Sequence, residues 1–268
     1  MRPQILFPLF APVTALPGVG PRLASLLEKA AGDKVVDLLW HLPSGIIDRR
    51  FSPTVADAPP GRIATLTVTI ETHQPGATRR QPYRIYCADP SGTLILVFFH
   101  AKADYLLRTF PPGETRIVSG TVEDYRGVKQ MTHPDHVGTV EDRDSLASVE
   151  PIYRLTAGFS LKVTAKAVQG ALAKAPTEMP EWADPSLVAR RGWPSWHAAL
   201  IAAHKPDGEA DLEPGTLPRT RLAYDELLAS QLAVLLVRAQ QRRLKGRAIK
   251  GDGVLRERAL SRLPFSLT

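Results

Sequence analysis

Leu94-Ile-Leu-Val-Phe-Phe99 opens the decisive stretch, which runs on through Phe110-Pro-Pro-Gly113 to Val118-Ser-Gly-Thr-Val-Glu-Asp-Tyr-Arg-Gly-Val-Lys-Gln-Met-Thr-His-Pro134. The apolar run Thr93 to Phe99 reads as a strand, Asp104 to Phe110 as a short helix, and Thr115 to Tyr125 with Val128 to Thr132 as a hairpin around Arg126-Gly127. Upstream, Ile63 to Glu71 alternates apolar residues with Thr until Gln74-Pro-Gly76 breaks it. Tyr83 to Ala88 and Thr93 to Phe99 then flank Asp89-Pro-Ser-Gly92, a hairpin turn by its chemistry. The order strand, strand, strand, helix, strand, strand predicts an OB-fold, a five-stranded antiparallel barrel with a helix between its third and fourth strands.

Outside this barrel the periodicity is helical, so the fold class is α+β. Leu16-Pro-Gly-Val-Gly-Pro21 is a glycine turn feeding a helix with Pro21 at its first position and Leu23, Leu26 and Leu27 on one face. A second helix covers Val35 to His41 and ends before Pro43. Glu141 to Ser148 reads as a charged linker, Leu161 to Ala173 as a helix, and Pro176 to Pro218 as short helices in which Trp182, Trp193 and Trp196 act as packing anchors. The longest helix spans Leu222 to Arg243, with Leu228, Leu232, Leu235 and Leu236 on a broad apolar face. The expected plan is therefore an N-terminal helical region (1–58), the barrel (59–145), a Pro-rich helical extension (146–218) and a connector helix with a basic tail (219–268).

The formal charge is +7, and its location matters more than its size. Arg219 to Arg262 holds eleven Lys and Arg against four acids, so residues 1 to 218 carry 23 of each sign and sum to zero. The barrel itself, Gly61 to Val140, has nine basic and seven acidic residues, too even a balance for a charge-driven grip on a long duplex. Cys87 is the single cysteine; it excludes an intrachain disulfide and reads as a small core residue. No apolar run reaches the roughly 18 residues of a membrane helix. The sequence thus reads as a cytoplasmic protein without a membrane partner.

Enzymatic motifs are missing: there is no P-loop, no nucleophile elbow and no zinc helix. His133, His136, His100 and Cys87 make a poor metal set, because His-Pro-Asp-His is an extended run. No catalytic residue and no metal ligand is assigned. Binding remains, and the barrel offers Phe99 and Tyr105 on a loop where their rings can stack on nucleic-acid bases. Phe98 should point inward and Phe99 outward, since alternate strand residues face opposite sides; the competing reading makes Phe99 a second core residue. Lys102, Arg79, Arg80, Arg126 and Lys129 lie on loops and hairpin tips within reach of phosphates, or are solvated surface charges. Gly18 and Gly20, with Arg22, are placed as in helix-hairpin-helix phosphate grips. The competing reading is a tight helix-helix turn that only packs, because Pro21 lacks an amide donor. A protein-interaction barrel that touches DNA weakly stays open as the alternative function.

Taken together, Leu16-Pro-Gly-Val-Gly-Pro21, Asp37-Leu-Leu-Trp-His-Leu-Pro43, Phe98-Phe-His100 with Tyr105-Leu106, Gln130-Met-Thr-His-Pro134, Pro151-Ile-Tyr-Arg-Leu-Thr156 and Arg221-Leu-Ala-Tyr-Asp-Glu-Leu-Leu228 resemble the wedge region of the bacterial branched-DNA helicase family RecG. The resemblance covers nearly the whole chain. It implies a wedge at the fork point of a branched DNA, in recombination, repair and stalled-fork processing, with forks and Holliday junctions as partners. It also implies that Phe99 and Tyr105 are the stacking pair, although His100 stands where the family often has Asn. The family's motor, which uses ATP and magnesium, begins just after a Leu-Pro-Phe-Ser-Leu-Thr run, and this chain stops at that run, Leu263 to Thr268. The resemblance therefore implies a monomeric module cut before its helicase motor, with no cofactor of its own.

Overall fold

The computed structural model describes residues 3–78, 81–155, 160–243 and 251–265. The strands are β1 (Gly45–Asp48), β2 (Ile63–Gln74), β3 (Tyr83–Asp89), β4 (Gly92–Phe98), β5 (Thr115–Tyr125), β6 (Val128–Thr132), β7 (His136–Gly138) and β8 (Val149–Ile152); β2 alternates apolar residues with Thr, whereas β4 is a continuous apolar run. Helices are α1 (Pro21–Ala30), α2 (Val35–Trp40), α3 (Ala103–Thr109), α4 (Arg143–Leu146), α5 (Leu161–Leu172), α6 (Pro185–Arg191), α7 (Trp196–His204), α8 (Leu217–Arg243) and α9 (Val254–Leu260). The chain divides into two units, Met1–Leu222 and Ala223–Thr268.

In the first unit β2, β3, β4, β6 and β5 close into a ring, with β5 pairing back to β2 from Ile63↔Thr121 to Thr69↔Thr115. This is the expected five-stranded OB-fold, with α3 between its third and fourth strands. One correction is needed: the barrel is mixed rather than antiparallel, because β4 and β6 run parallel from Leu94↔Lys129 to Val97↔Thr132. The reason is topological. Strand directions can alternate all the way round a closed ring only when the strand number is even, so five strands force one parallel pair. Alternation along β4 buries Leu94, Leu96 and Phe98 against Ile85, Leu106 and Met131. Cys87 is fully buried there; burial pushes its thiol up to about 12, so it stays a protonated core residue.

A second core lies in the helical part. Leu27 of α1 and Leu38 and Leu39 of α2 pack with Val168 of α5, Leu200 of α7 and Leu222 of α8. Local signals set these helices: Pro21 occupies the first turn of α1, Ser160 Oγ accepts the Val163 N–H of α5, Asp184 accepts from Ser186 and Leu187 at α6, and Ser195 accepts from Ala198 at α7. His204 is fully buried between α2 and Tyr153. Its Nε2–H donates to the Leu39 carbonyl at 2.9 Å, which leaves Nδ1 to accept the Tyr153 hydroxyl at 3.2 Å. Burial holds His204 down at about 4, so it is neutral.

A seam joins the cores. β1 and β8 form a two-stranded ribbon, Gly45↔Ile152 to Asp48↔Val149, between residues a hundred positions apart. Arg49, 2% exposed, follows β1 and donates to Glu150 (3.0 Å), Asp135 (3.0 Å) and Ser119 (3.3 Å), and Thr65 Oγ1 donates to its carbonyl at 2.7 Å. One side chain thus bonds Glu150 within the ribbon and ties the ribbon to the barrel side at Asp135 and Ser119. The segment read as a charged linker is ordered packing: Thr139 and Asp142 form a reciprocal cap, and Leu146 sits so close to Gly138 that a Cβ there would lie 2.6 Å from it. Arg221, fully buried at the start of α8, clamps Glu181 with two bonds of 2.8 Å and lies 5.3 Å from the Trp182 ring. α8 begins at Leu217, five residues ahead of the expected start, since Pro218 is tolerated in a first helical turn.

The second unit holds the rest of α8 and α9. Leu232, Val234, Leu235, Leu236 and Val237 are all exposed on α8, spread around it rather than on one face.

Candidate nucleic-acid interface

The Asp89–Gly92 turn, in which Asp89 accepts from the Ser91 and Gly92 amides, sets the register of β3 and β4. That register carries the chain to a corner at Phe98-Phe99-His100. Phe98 is 8% exposed and packs on Phe110, whereas Phe99 is 45% exposed. The outward reading of Phe99 holds and the core reading does not. His100 takes a left-handed φ of 57°, which turns the chain off the barrel toward α3. Behind the corner His73 Nε2–H donates to the Phe110 carbonyl at 2.7 Å and its Nδ1 accepts the Tyr83 hydroxyl at 2.9 Å, fixing the end of α3 to β2 and β3.

Two depressions flank the corner. One, of about 580 Å³, lies between the β2–β3 turn and the segment His100–Ala103, with Tyr83 and Phe98 at its base. The other, of about 490 Å³, runs over the outer face of β4 and β6 from Phe99 to Tyr125, floored by Ile95, Val97 and Gln130. The consecutive residues Phe99 and His100 line different depressions, so the corner is a ridge between two troughs.

The site residues expected from the sequence fall into separate groups. Phe99 and Lys102 lie at this corner, and Tyr105, 57% exposed, stands on the first turn of α3, its N–H donating to the Lys102 carbonyl at 3.1 Å. Arg126 is at the far end of the second trough, in a tight turn with φ of 59°, its guanidinium 5.3 Å from the Tyr125 ring centre. Lys129 is not a solvated cation: its Nζ donates to the Ala56 and Ala58 carbonyls at 2.5 and 2.6 Å. Gly18, Gly20 and Arg22 belong to the helical part, not to the barrel, and all three are exposed. Gly18 turns with φ of 79° and Gly20 caps α1, while Leu16 and Val19 beside them are buried; a three-residue 3-10 turn, Val13–Ala15, precedes them. Arg79 and Arg80 lie outside the described residues.

Two residues join the site that the sequence reading passed over. Tyr125, 56% exposed, is a second aromatic in the trough, and its place beside the Arg126-Gly127 tip was a usable signal. His133, with φ of 48°, accepts the Phe99 N–H on Nε2 at 3.0 Å, an arrangement that no local pattern announces. Among the described residues no group of three or more His, Cys, Asp or Glu could hold a metal ion. No described helix is long and apolar enough to cross a membrane.

Residues 12–174 match the family described as the RecG wedge domain. The chain is 28% identical over 264 residues to the ATP-dependent DNA helicase RecG of Escherichia coli (strain K12), and 24% identical over 259 residues to that of Aquifex aeolicus (strain VF5). These matches cover 96% and 91% of this chain but 38% and 32% of the relatives, so the chain spans about a third of their length. A solved structure of RecG bound to a three-way DNA junction superposes with a TM-score of 0.68 at 27% identity, over 97% of this chain and 35% of that one. With the family match covering the whole barrel and most of the helical region before it, the chain belongs to the RecG wedge domain family.

Proposed function

We propose that this chain binds branched DNA, forks and Holliday junctions, and that its barrel parts the strands sterically at the branch point. The observation that carries the reading is the exposed Phe99 ring on a ridge between two troughs. A base pair driven against the ridge meets an aromatic face on which a base can stack, and each separated strand has its own channel. Tyr105 supports the pair on one side. On the other, β6 rises about 13 Å from Val128 to Thr132, so the trough along it is long enough for a few stacked bases. Lys102 and Arg126 stand at the two ends for phosphate contacts. The near-neutral barrel suits stacking and shape over bulk charge.

In this reading the chain works with helicase motor domains of the RecG type, in recombination, repair and the processing of stalled forks, and α8 with its exposed leucines is the connector to them. In this reading ATP and magnesium belong to that motor, whose P-loop this sequence does not carry. Splitting by the wedge is passive and needs an external pull.

Phe99→Ala tests the reading. Loss of one stacked base contributes about 1 to 3 kcal/mol, so fork affinity should fall about 5- to 150-fold while the near-UV spectrum of the fold is kept. Anisotropy titrations at fixed salt with a three-way fork, a linear duplex and a single strand give the answer. Equal fork affinity for variant and parent, or no preference of the parent for the fork, would sink it in favour of a protein-docking barrel.

A further inference from the structure

A strand residue ordinarily hands its N–H to the neighbouring strand. Phe99 cannot, because the parallel ladder of β4 and β6 stops at Val97↔Thr132. His133, the next residue of β6's chain, spans the gap twice. Its own N–H donates to the Val97 carbonyl at 2.9 Å, and its Nε2 accepts the Phe99 N–H at 3.0 Å. The same imidazole lies against the Phe99 ring, centroids 5.9 Å apart at 35°, and edge-on to Phe98 at 5.7 Å. To reach this position His133 adopts φ of 48°, a left-handed conformation that costs a non-glycine residue energy and persists only where surrounding contacts demand it. A backbone N–H only donates, so Nε2 must carry the lone pair and the ring is the neutral Nδ1–H tautomer.

We propose that His133 is a positioning residue that holds the Phe99 ring in place for stacking, substituting a side-chain acceptor for the missing ladder partner. It thereby removes the ordering cost that a free corner would charge to DNA binding. The inference rests on the reading of Phe99 as the stacking platform.

Three substitutions separate the acceptor from the backbone turn. Gln carries an oxygen at about the reach of Nε2. Asn tolerates left-handed φ but places its oxygen at the Nδ1 position. Under this assignment His133→Gln keeps fork affinity within about twofold, whereas His133→Asn loses about 3- to 10-fold, the scale of one net hydrogen bond. The amide of Phe99 should exchange with solvent faster in His133→Asn than in the parent and in His133→Gln. Adding His133→Asn to Phe99→Ala should cost nothing further. The proposal is overturned if His133→Asn binds the fork like the parent while Phe99→Ala does not, since the turn alone then suffices. An additive loss in the double variant also overturns it, because His133 would then touch DNA directly. If Phe99→Ala itself leaves fork affinity unchanged, the stacking reading fails first, and Phe99 amide exchange still reports whether the clamp exists.

Discussion

The barrel core draws on one continuous stretch, Phe51 to Val137, while the helical core is assembled from two stretches, Leu6 to Leu42 and Tyr153 to Leu222, that lie on either side of it. The barrel is in effect an insertion carried by a helical frame. Its contacts are mostly between neighbouring strands joined by short turns, whereas the frame must bring α2 and α5 together across more than a hundred residues. The difference shows how a wedge can be held stiffly: the ends of the inserted barrel are gripped at one seam, the β1–β8 ribbon with buried Arg49.

The comparison breaks most visibly in the cores. All four tryptophans, Trp40, Trp182, Trp193 and Trp196, lie in the helical part and none in the barrel, so tryptophan fluorescence reports on one core and tyrosine signals of the barrel on the other. Leu38→Ala should destabilise the fluorescence transition in urea by about 3 to 4 kcal/mol and the barrel transition by less. Leu96→Ala should do the reverse. Equal shifts in both probes for both variants would make the two cores one cooperative unit and dissolve the distinction.

A somewhat smaller effect sharpens it through pH. His204 is held neutral in the folded state at about 4, against an ordinary value near 6.5 in the unfolded chain. The unfolded state therefore binds the extra proton between these values, and stability falls as pH drops from 6.5 to 4 and is flat above. The loss is about 3 kcal/mol and should appear in the tryptophan transition of the helical core. Melts of the parent and of His204→Gln between pH 4 and 7 check it: the variant should lose most of the slope, and an unchanged slope would assign the acid sensitivity elsewhere.

The smallest effect concerns the barrel surface. Lys129→Ala removes a cation that satisfies two carbonyls, so it should cost about 1 kcal/mol of barrel stability and leave the salt dependence of fork binding unchanged. Arg126→Ala should instead lower the slope of log affinity against log salt by about one, with stability kept. If Lys129→Ala moves the salt slope as Arg126→Ala does, its ammonium leaves the carbonyls for a phosphate.

Much of the barrel and its corner was legible because the signals are local. Period-two alternation in β2, the apolar run of β4, Asp89-Pro-Ser-Gly92 and Arg126-Gly127 specify strands and turns within a few residues of one another, and the opposite faces of adjacent strand residues put Phe98 inside and favoured Phe99 outside. The helices with a proline at the start or a polar cap were equally readable. The ribbon of β1 and β8 was not, since four residues of moderate polarity become a strand only on meeting a partner a hundred positions away. Nor was the ordered packing of α4, which depends on Gly138 letting Leu146 approach.

From residue types and spacing alone come the order of the barrel's strands and helix, the aromatic corner, the near-neutral charge of the barrel and the basic excess of the last segment, all properties of short windows or of composition. Which cations are free and which are spoken for is a different matter. Lys129 and Arg126 sit in one hairpin with the same charge, yet one is bound to the carbonyls of Ala56 and Ala58 and the other lies against Tyr125. The parallel pairing of β4 and β6, the burial of Arg49 and the hold of His133 on Phe99 likewise follow from ring closure. Closing the barrel brings distant backbone groups within hydrogen-bond reach and leaves a few unpaired, and those few decide what the nearest side chains must do.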